Sequence, residues 1–329
     1  MKVSIRDLSK MTGFSPATIS NALNHKKGVN RETAEEIFRV ARETGYLSAN
    51  AVTKIRLVIF KKNGQILEET PFFQQMIEGI EEECHRLGYE MVISHVDQRN
   101  PNYQKQVRDL LEEQGVGIIL LGTEMMDGDL SLYRNASCPV LLLDHWTESM
   151  DFNSVLINNA DAARAITEHL LDNGHREVGY LRGNYRIKAF RSRFIGFQTA
   201  LKKYKVPYKE EYTVTVGTYM STACQDMLEY LKKKPKLPTA FFADNDIIAL
   251  GAMKALQEMG YRIPEDISIV GFDDLTFSEI SSPPLTTLRV EKREMGKMAV
   301  RRLVELIDGI GTSTCLLYTS PSPRDRSLS

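Results

Sequence analysis

Cysteine, tryptophan and long apolar runs are all scarce in this chain of 329 residues. The four cysteines, Cys84, Cys138, Cys224 and Cys315, are scattered without a CxxC pair, which excludes a disulfide framework or a zinc-ligand pattern and reads as reduced thiols. No stretch approaches the ~18 consecutive apolar residues of a membrane span, and the opening Met1-Lys2-Val3-Ser4-Ile5 lacks the apolar core of a secretion signal. A cytosolic protein is expected. Enzyme signatures are missing too. The six histidines (His25, His85, His95, His145, His169, His175) form no HExxH, and there is no GxGxxG after a strand, no GxxxxGK[ST] and no GxSxG. No cofactor or metal is expected, and His145 reads as a solvated or ligand-contacting side chain.

Charge of one sign is lacking only on average. Lys and Arg number 42 against 43 Asp and Glu, a formal charge of −1. Residues 1–54 hold 9 of those basic side chains and 5 of the acidic ones, leaving a head of +4 on a body of −5. A basic head points to a polyanionic partner.

Within the head, Ile5, Leu8 and Met11 recur at three-residue intervals behind a capping Ser4, which predicts one short helix. Gly13 breaks it. Ser15-Pro16 starts a second, with proline at the first helical position, where its missing N–H costs nothing. A third is predicted from Arg31 to Glu43, with Ala34, Ile37, Phe38 and Ala41 inward and Gly45 as its stop. Two short helices around a glycine-bearing turn, buried by a third, make a helix-turn-helix or a small helical cap that binds nothing. From Ile55 the pattern changes to apolar runs (Ile55–Phe60, Tyr89–Ser94, Val116–Leu121, Val140–Leu143, Val155–Ile157, Val178–Leu181, Thr239–Phe242, Ile267–Val270) separated by amphipathic stretches. Strands buried on both faces and alternating with helices predict an α/β fold with doubly wound parallel sheets, too many strands for one sheet and so two subdomains.

The run Ser4-Ile-Arg-Asp-Leu-Ser-Lys-Met-Thr-Gly-Phe-Ser-Pro-Ala-Thr-Ile-Ser-Asn-Ala-Leu-Asn24, with Gly28-Val29 and Glu43-Thr44-Gly45-Tyr46, strongly resembles the head of the lactose-repressor (LacI-type) family. The body resembles the same family at Leu170–Arg176, Pro238–Asp246, Pro264–Asp274 and Pro283–Thr287, so the likeness runs from residue 4 to about 309. It implies a head at 1–46, a hinge at 47–54, and a periplasmic-binding-protein-like body at 55–309. Within that body, subdomain 1 covers about 55–156 with 288–309, and subdomain 2 about 157–287. It also implies a transcription repressor that binds a palindromic operator as a dimer, with Phe72–Leu87 and Asn102–Glu112 supplying the dimer face. Pro16, Ala17 and Asn21, with Ser20 close by, would face base edges. Ser15, Thr18, Asn24, Lys26 and Lys27 would meet phosphates. An effector would sit between the subdomains against Phe72, Phe73, Asp144, Trp146, Arg193, Phe242 and Asp273, although Phe72 and Phe242 also fit a plain core role. Ile187 aligns where purine-binding relatives carry a second arginine, with Arg186 and Arg191 close by in sequence, which leans toward a carbohydrate over a purine. A solute-binding protein or an α/β enzyme would share the body; the head opposes the first and the missing catalytic set the second.

Three departures from the family stand out. Leu47–Lys54 is shorter than the usual hinge and lacks its Ala-Arg-x-Leu, so a minor-groove wedge is not expected, although eight residues still reach ~26–29 Å. Residues 310–329, rich in Ser, Pro and mixed charge, read as a disordered, non-native end that leaves the last strand missing and a sheet edge open. Finally, Asn21 replaces the family's Arg. Arginine forks onto guanine, asparagine onto adenine, so operator selection on the chain should return an adenine opposite Asn21, and Asn21→Arg should move that position toward guanine. An unchanged preference would refute the assignment.

Overall fold

In the computed structural model, residues 3–23, 28–46, 52–68, 71–309, 316–319 and 322–324 are described. The expected hinge is largely outside this set, as are Asn24, Lys26, Lys27 and Cys315.

The head is three helices, α1 (Ile5–Thr12), α2 (Pro16–Leu23) and α3 (Arg31–Glu43). Local chemistry sets each boundary. Ser4 and Asp7 close a reciprocal capping box, and Gly13 ends α1 in the left-handed region at φ 76°. Ser15 Oγ accepts from Thr18 N at 3.1 Å, and Asn30 Oδ1 from Thr33 N at 2.8 Å, satisfying the first amides of α2 and α3. Leu8, Ile19, Ala22, Ile37, Val40 and Ala41 form the core. Met11, in three-residue register with Ile5 and Leu8, is 60% exposed, whereas Leu8 is fully buried.

The body opens with β1 (Lys54–Lys61), α4 (Phe72–Arg86), β2 (Glu90–Asp97), α5 (Tyr103–Glu112), β3 (Val116–Leu121), β4 (Val140–Leu143) and β5 (Asn153–Ile157). There follow α6 (Asn159–Asp172), β6 (Val178–Gly183), α7 (Lys188–Lys203), β7 (Thr213–Val216), α8 (Met220–Lys232), β8 (Ala240–Ala243), α9 (Asp246–Glu258), β9 (Ser268–Val270), α10 (Thr276–Ile280) and β10 (Thr287–Arg289). The chain then returns through α11 (Lys292–Ile307) to β11 (Leu316–Thr319) and β12 (Ser322–Arg324). Among the described residues there are two parallel sheets, β11-β5-β4-β3-β1-β2 and β7-β6-β8-β9, with β10 and β12 an antiparallel pair. Every residue of β3 and β8 is buried, as a strand covered on both faces requires. Helices α4 and α11 meet backbone to backbone: a Cβ added at Gly79 would stand 2.1 Å from the Arg293 carbonyl oxygen, and one at Gly296 2.2 Å from that of Met76.

The structure corrects the reading of the tail for residues 316–319 and 322–324. Leu316–Thr319 pairs in parallel with Ser154–Ile157 and closes the edge of the first sheet. A helical crossover from α11 delivers the chain to the open edge of β5, and the ladder uses only backbone donors and acceptors, so a composition that argues for disorder does not prevent it. Strands β7 and β10, absent from the apolar runs, are short, and β7 alternates one exposed residue between buried ones. Truncation after Gly309 should lower the melting temperature by about 3 °C or more, the mark of a loss of about 2 kcal/mol at ~1.5 °C per kcal/mol for a chain of this length. An unchanged melting curve would mean that β11 adds no stability.

Candidate functional site

The strands of a doubly wound sheet end where connecting loops diverge, and that end gathers polar groups. Asp144 directly follows β4, and Asp273 lies three residues beyond β9. Both hold left-handed backbone, φ 58° and 117°, and Asp274 follows at 51°. Non-glycine residues are rarely found there, and the strain is held in place by the surrounding bonds.

Arg193 on α7 sits at the junction. Its Nε donates to Asn159 Oδ1 at 2.8 Å, Nη1 to the Asp244 carbonyl at 2.6 Å and Nη2 to Asp273 Oδ1 at 3.2 Å. Its guanidinium carbon lies 3.6 Å from the centre of the Phe272 ring. One planar fork thus ties α6, the end of β8 and the loop after β9, with two of its five N–H donors uncommitted among these bonds. From α11, Lys292 Nζ donates to the Asp273 carbonyl at 2.5 Å and the Asp274 carbonyl at 3.2 Å, and it lies 5.5 Å from the centre of the Phe72 ring. Phe72 and Phe73, at the start of α4, pack edge to face at 5.1 Å. Lys188, at the start of α7, donates to the Trp146 carbonyl at 2.8 Å and to Asp127 Oδ1 at 2.6 Å, with its ammonium 4.6 Å from the Trp146 ring centre. These bonds link the two halves of the body.

Burial pushes the Asp144 carboxyl up to about 6, opposed by the hydroxyl of Thr123, which donates to Oδ2 at 2.8 Å, and by the charge of Arg193. Burial raises Asp273 as well, against Arg193 and Lys292. Asp246 is pushed up to about 7, by burial and then by Asp273. It accepts from Thr287 Oγ1 at 2.5 Å, Ser278 Oγ at 2.6 Å and Leu275 N at 2.9 Å, which braces the loop carrying Asp273. Burial drops His145 to about 4, so the side chain expected to be solvated or ligand-contacting is a buried neutral imidazole, 1% exposed.

Six of the seven expected effector residues, Phe72, Phe73, Asp144, Trp146, Arg193 and Asp273, therefore gather around one seam. Phe242 does not. It is fully buried among Tyr180 and Phe197, because β8 is an inner strand, and it belongs to the core of the second sheet. The sequence reading missed Asn159, Thr123, Lys188 and Lys292, which carry no motif. It passed over Asp244, whose buried carboxylate pairs with Arg186 and takes the Tyr180 hydroxyl at 2.5 Å. An acidic Asp-Asn-Asp ending an apolar run was the available signal.

In the head, Ser15, Pro16 and Ala17 are exposed at the start of α2, while Thr18, Ser20 and Asn21 are half-buried along it. The Ser15 and Thr18 hydroxyls bond each other at 2.8 Å.

A family model described as a periplasmic binding protein-like domain matches residues 167–327. The HTH-type transcriptional repressor PurR of Mannheimia succiniciproducens is 31% identical over 307 residues, 92% of this chain and 91% of that protein. The Haemophilus influenzae protein of the same name is 30% identical over 306 residues, covering 92% and 90%. Among solved structures, a transcriptional regulator CelR–cellobiose complex aligns with a TM-score of 0.75 and 25% identity over 98% of this chain and 99% of that one. A lac repressor dimer bound to operator and the anti-inducer ONPF aligns at 0.72 and 25% over 99% and 98%. Its helical head, two parallel sheets and relatives together place the chain in the lactose-repressor (LacI-type) family of DNA-binding transcriptional repressors that a small effector switches.

Proposed function

We propose that the chain represses transcription in the cytoplasm by binding a palindromic operator as a dimer, and that a carbohydrate held at the Arg193–Asp273 seam is its effector. The head, residues 1–46, carries the reader: Pro16, Ala17, Ser20 and Asn21 toward bases, Ser15, Thr18, Asn24, Lys26 and Lys27 toward phosphates. One head covers a half-site, so two related by a twofold axis read a palindrome, with α4 and α5 supplying the dimer face. The body from 55 to 309 is the sensor. The observation that carries the effector reading is the composition of the seam. Carboxylates and a guanidinium flank two phenylalanines and the single tryptophan, which suits a molecule with hydroxyls on its rim and C–H groups on its face. The CelR relative was solved with cellobiose. The chain's relatives act as transcriptional regulators, and the reading includes no catalysis.

Operator selection with and without a panel of mono- and disaccharides tests this, with hypoxanthine and guanine as competitors. A bound sugar should change operator affinity at least tenfold and shift Trp146 emission. A response to purines alone would replace the carbohydrate. Operator affinity should fall steeply with salt, because phosphate contacts release counterions.

Asp144 supplies a second test. Its folded value of about 6 lies above the usual carboxylate value near 3.9, so ionised Asp144 destabilises the native state at neutral pH. That penalty is relieved as pH falls through 6. Asp144→Asn keeps an acceptor for Thr123 and should stabilise the sugar-free protein by about 1–3 kcal/mol at pH 7.5. The gain should shrink as pH falls from 6 toward 4 and vanish below about pH 3, where the wild-type carboxyl is neutral in both states. The same substitution should abolish the sugar response, and in the wild type sugar affinity should decline as pH falls below 6. A variant no more stable than wild type at pH 7.5 would contradict this account.

A further inference from the structure

The head is held against the body by its own side chains. Arg42 on α3 is 7% exposed and donates Nε and Nη2 to the Leu87 carbonyl, at 3.2 and 2.8 Å, in the turn between α4 and β2. Its guanidinium carbon stands 4.0 Å from the Tyr89 ring centre. Arg39 packs over Gly88, where an added Cβ would meet its Cγ at 2.9 Å. At the rim, Arg86 Nη1 pairs with Glu35 at 3.0 Å. A guanidinium leaves water only when hydrogen bonds and an aromatic face replace its hydration. For Arg42 both the hydrogen-bond acceptor and the nearest ring come from the body.

From that turn the contacts continue to the seam. Glu83, 2% exposed, takes Arg86 at 2.7 Å and Arg301 of α11 at 2.6 Å. The interlocked glycines leave α4 and α11 no room to slide independently. Helix α11 begins at Lys292, which holds the carbonyls of Asp273 and Asp274. At the other end, Ser15, Pro16 and Ala17 remain exposed with α3 docked. The contact therefore orients the reading helix and does not cover it.

We propose that the dock of α3 on the α4–β2 turn, centred on Arg42, is a direct coupling surface between the reading head and the effector-binding body. It fixes the orientation of the head on the body, and it passes movement at the seam along α11 and α4. This rests on the reading of the head as the operator-binding unit. Arg42 is a positioning residue, acting through its contacts with Leu87 and Tyr89.

Two variants of the full chain test the proposal, Arg42→Met on the head and Tyr89→Leu on the body, the second leaving the head's own sequence intact. By hydrogen-exchange mass spectrometry, amides at the end of α3 and at residues 87–89 should exchange at least tenfold faster in both variants, with those of β3 unchanged. On operators selected with wild type and then re-spaced by one or two base pairs between half-sites, the wild type should discriminate at least tenfold and the variants less than threefold. Unchanged exchange in both variants, or unchanged discrimination, would overturn the coupling. If selection returns no operator, the head's assignment fails while the exchange result still decides whether the dock exists.

Discussion

Everything at the seam depends on one guanidinium kept out of water. Arg193 is 4% exposed, and it can be buried only because Asn159, the Asp244 carbonyl, Asp273 and the face of Phe272 replace its hydration. Removing one partner from such a cluster costs far more than the pair contributes. The ends of three elements of the second subdomain are thereby locked in register, and Lys292 extends the lock to the first through the carbonyls beside Asp273.

The same region concentrates features that work against stability. Asp144, Asp273 and Asp274 sit at positive φ, and Asp144 and Asp246 are buried carboxylates pushed up to about 6 and 7. A protein selected only for stability would replace such groups with apolar ones of similar shape. Their presence at the carboxyl ends of the strands fits a surface built to meet polar groups of a ligand. The glycine-to-backbone contacts of α4 and α11 make the seam and the head's docking turn two ends of one stiff unit.

Legibility in the sequence followed the range of the interactions. The three head helices were readable because caps and breakers act within four residues: Ser4 with Asp7, Gly13, Ser15 with Thr18. The inner strands were readable because burial on both faces leaves an uninterrupted apolar run, as in Val116–Leu121. Two of the edge strands were not. Leu316–Thr319 and Thr213–Val216 are strands because of what runs beside them. Among the site residues, Asp144, Arg193 and Asp273 were reachable through the family likeness, whereas Lys292 and Asn159 became visible only once their partners, 19 and 34 positions away, were brought alongside.

Phe242 shows the limit most plainly. An aromatic residue at the end of an inner strand reads equally as a stacking surface or as core, and only the packing of Tyr180 and Phe197 around it decides for core. The sequence by itself determined the basic head, the α/β body and the family, because periodicity, capping and motif order are local properties. The tertiary structure alone decided which charges are buried together, where the tail pairs and how the head meets the body. Arg42 and Leu87 are forty-five residues apart, and nothing local to either signals that a guanidinium and a carbonyl will share a site from which water is excluded.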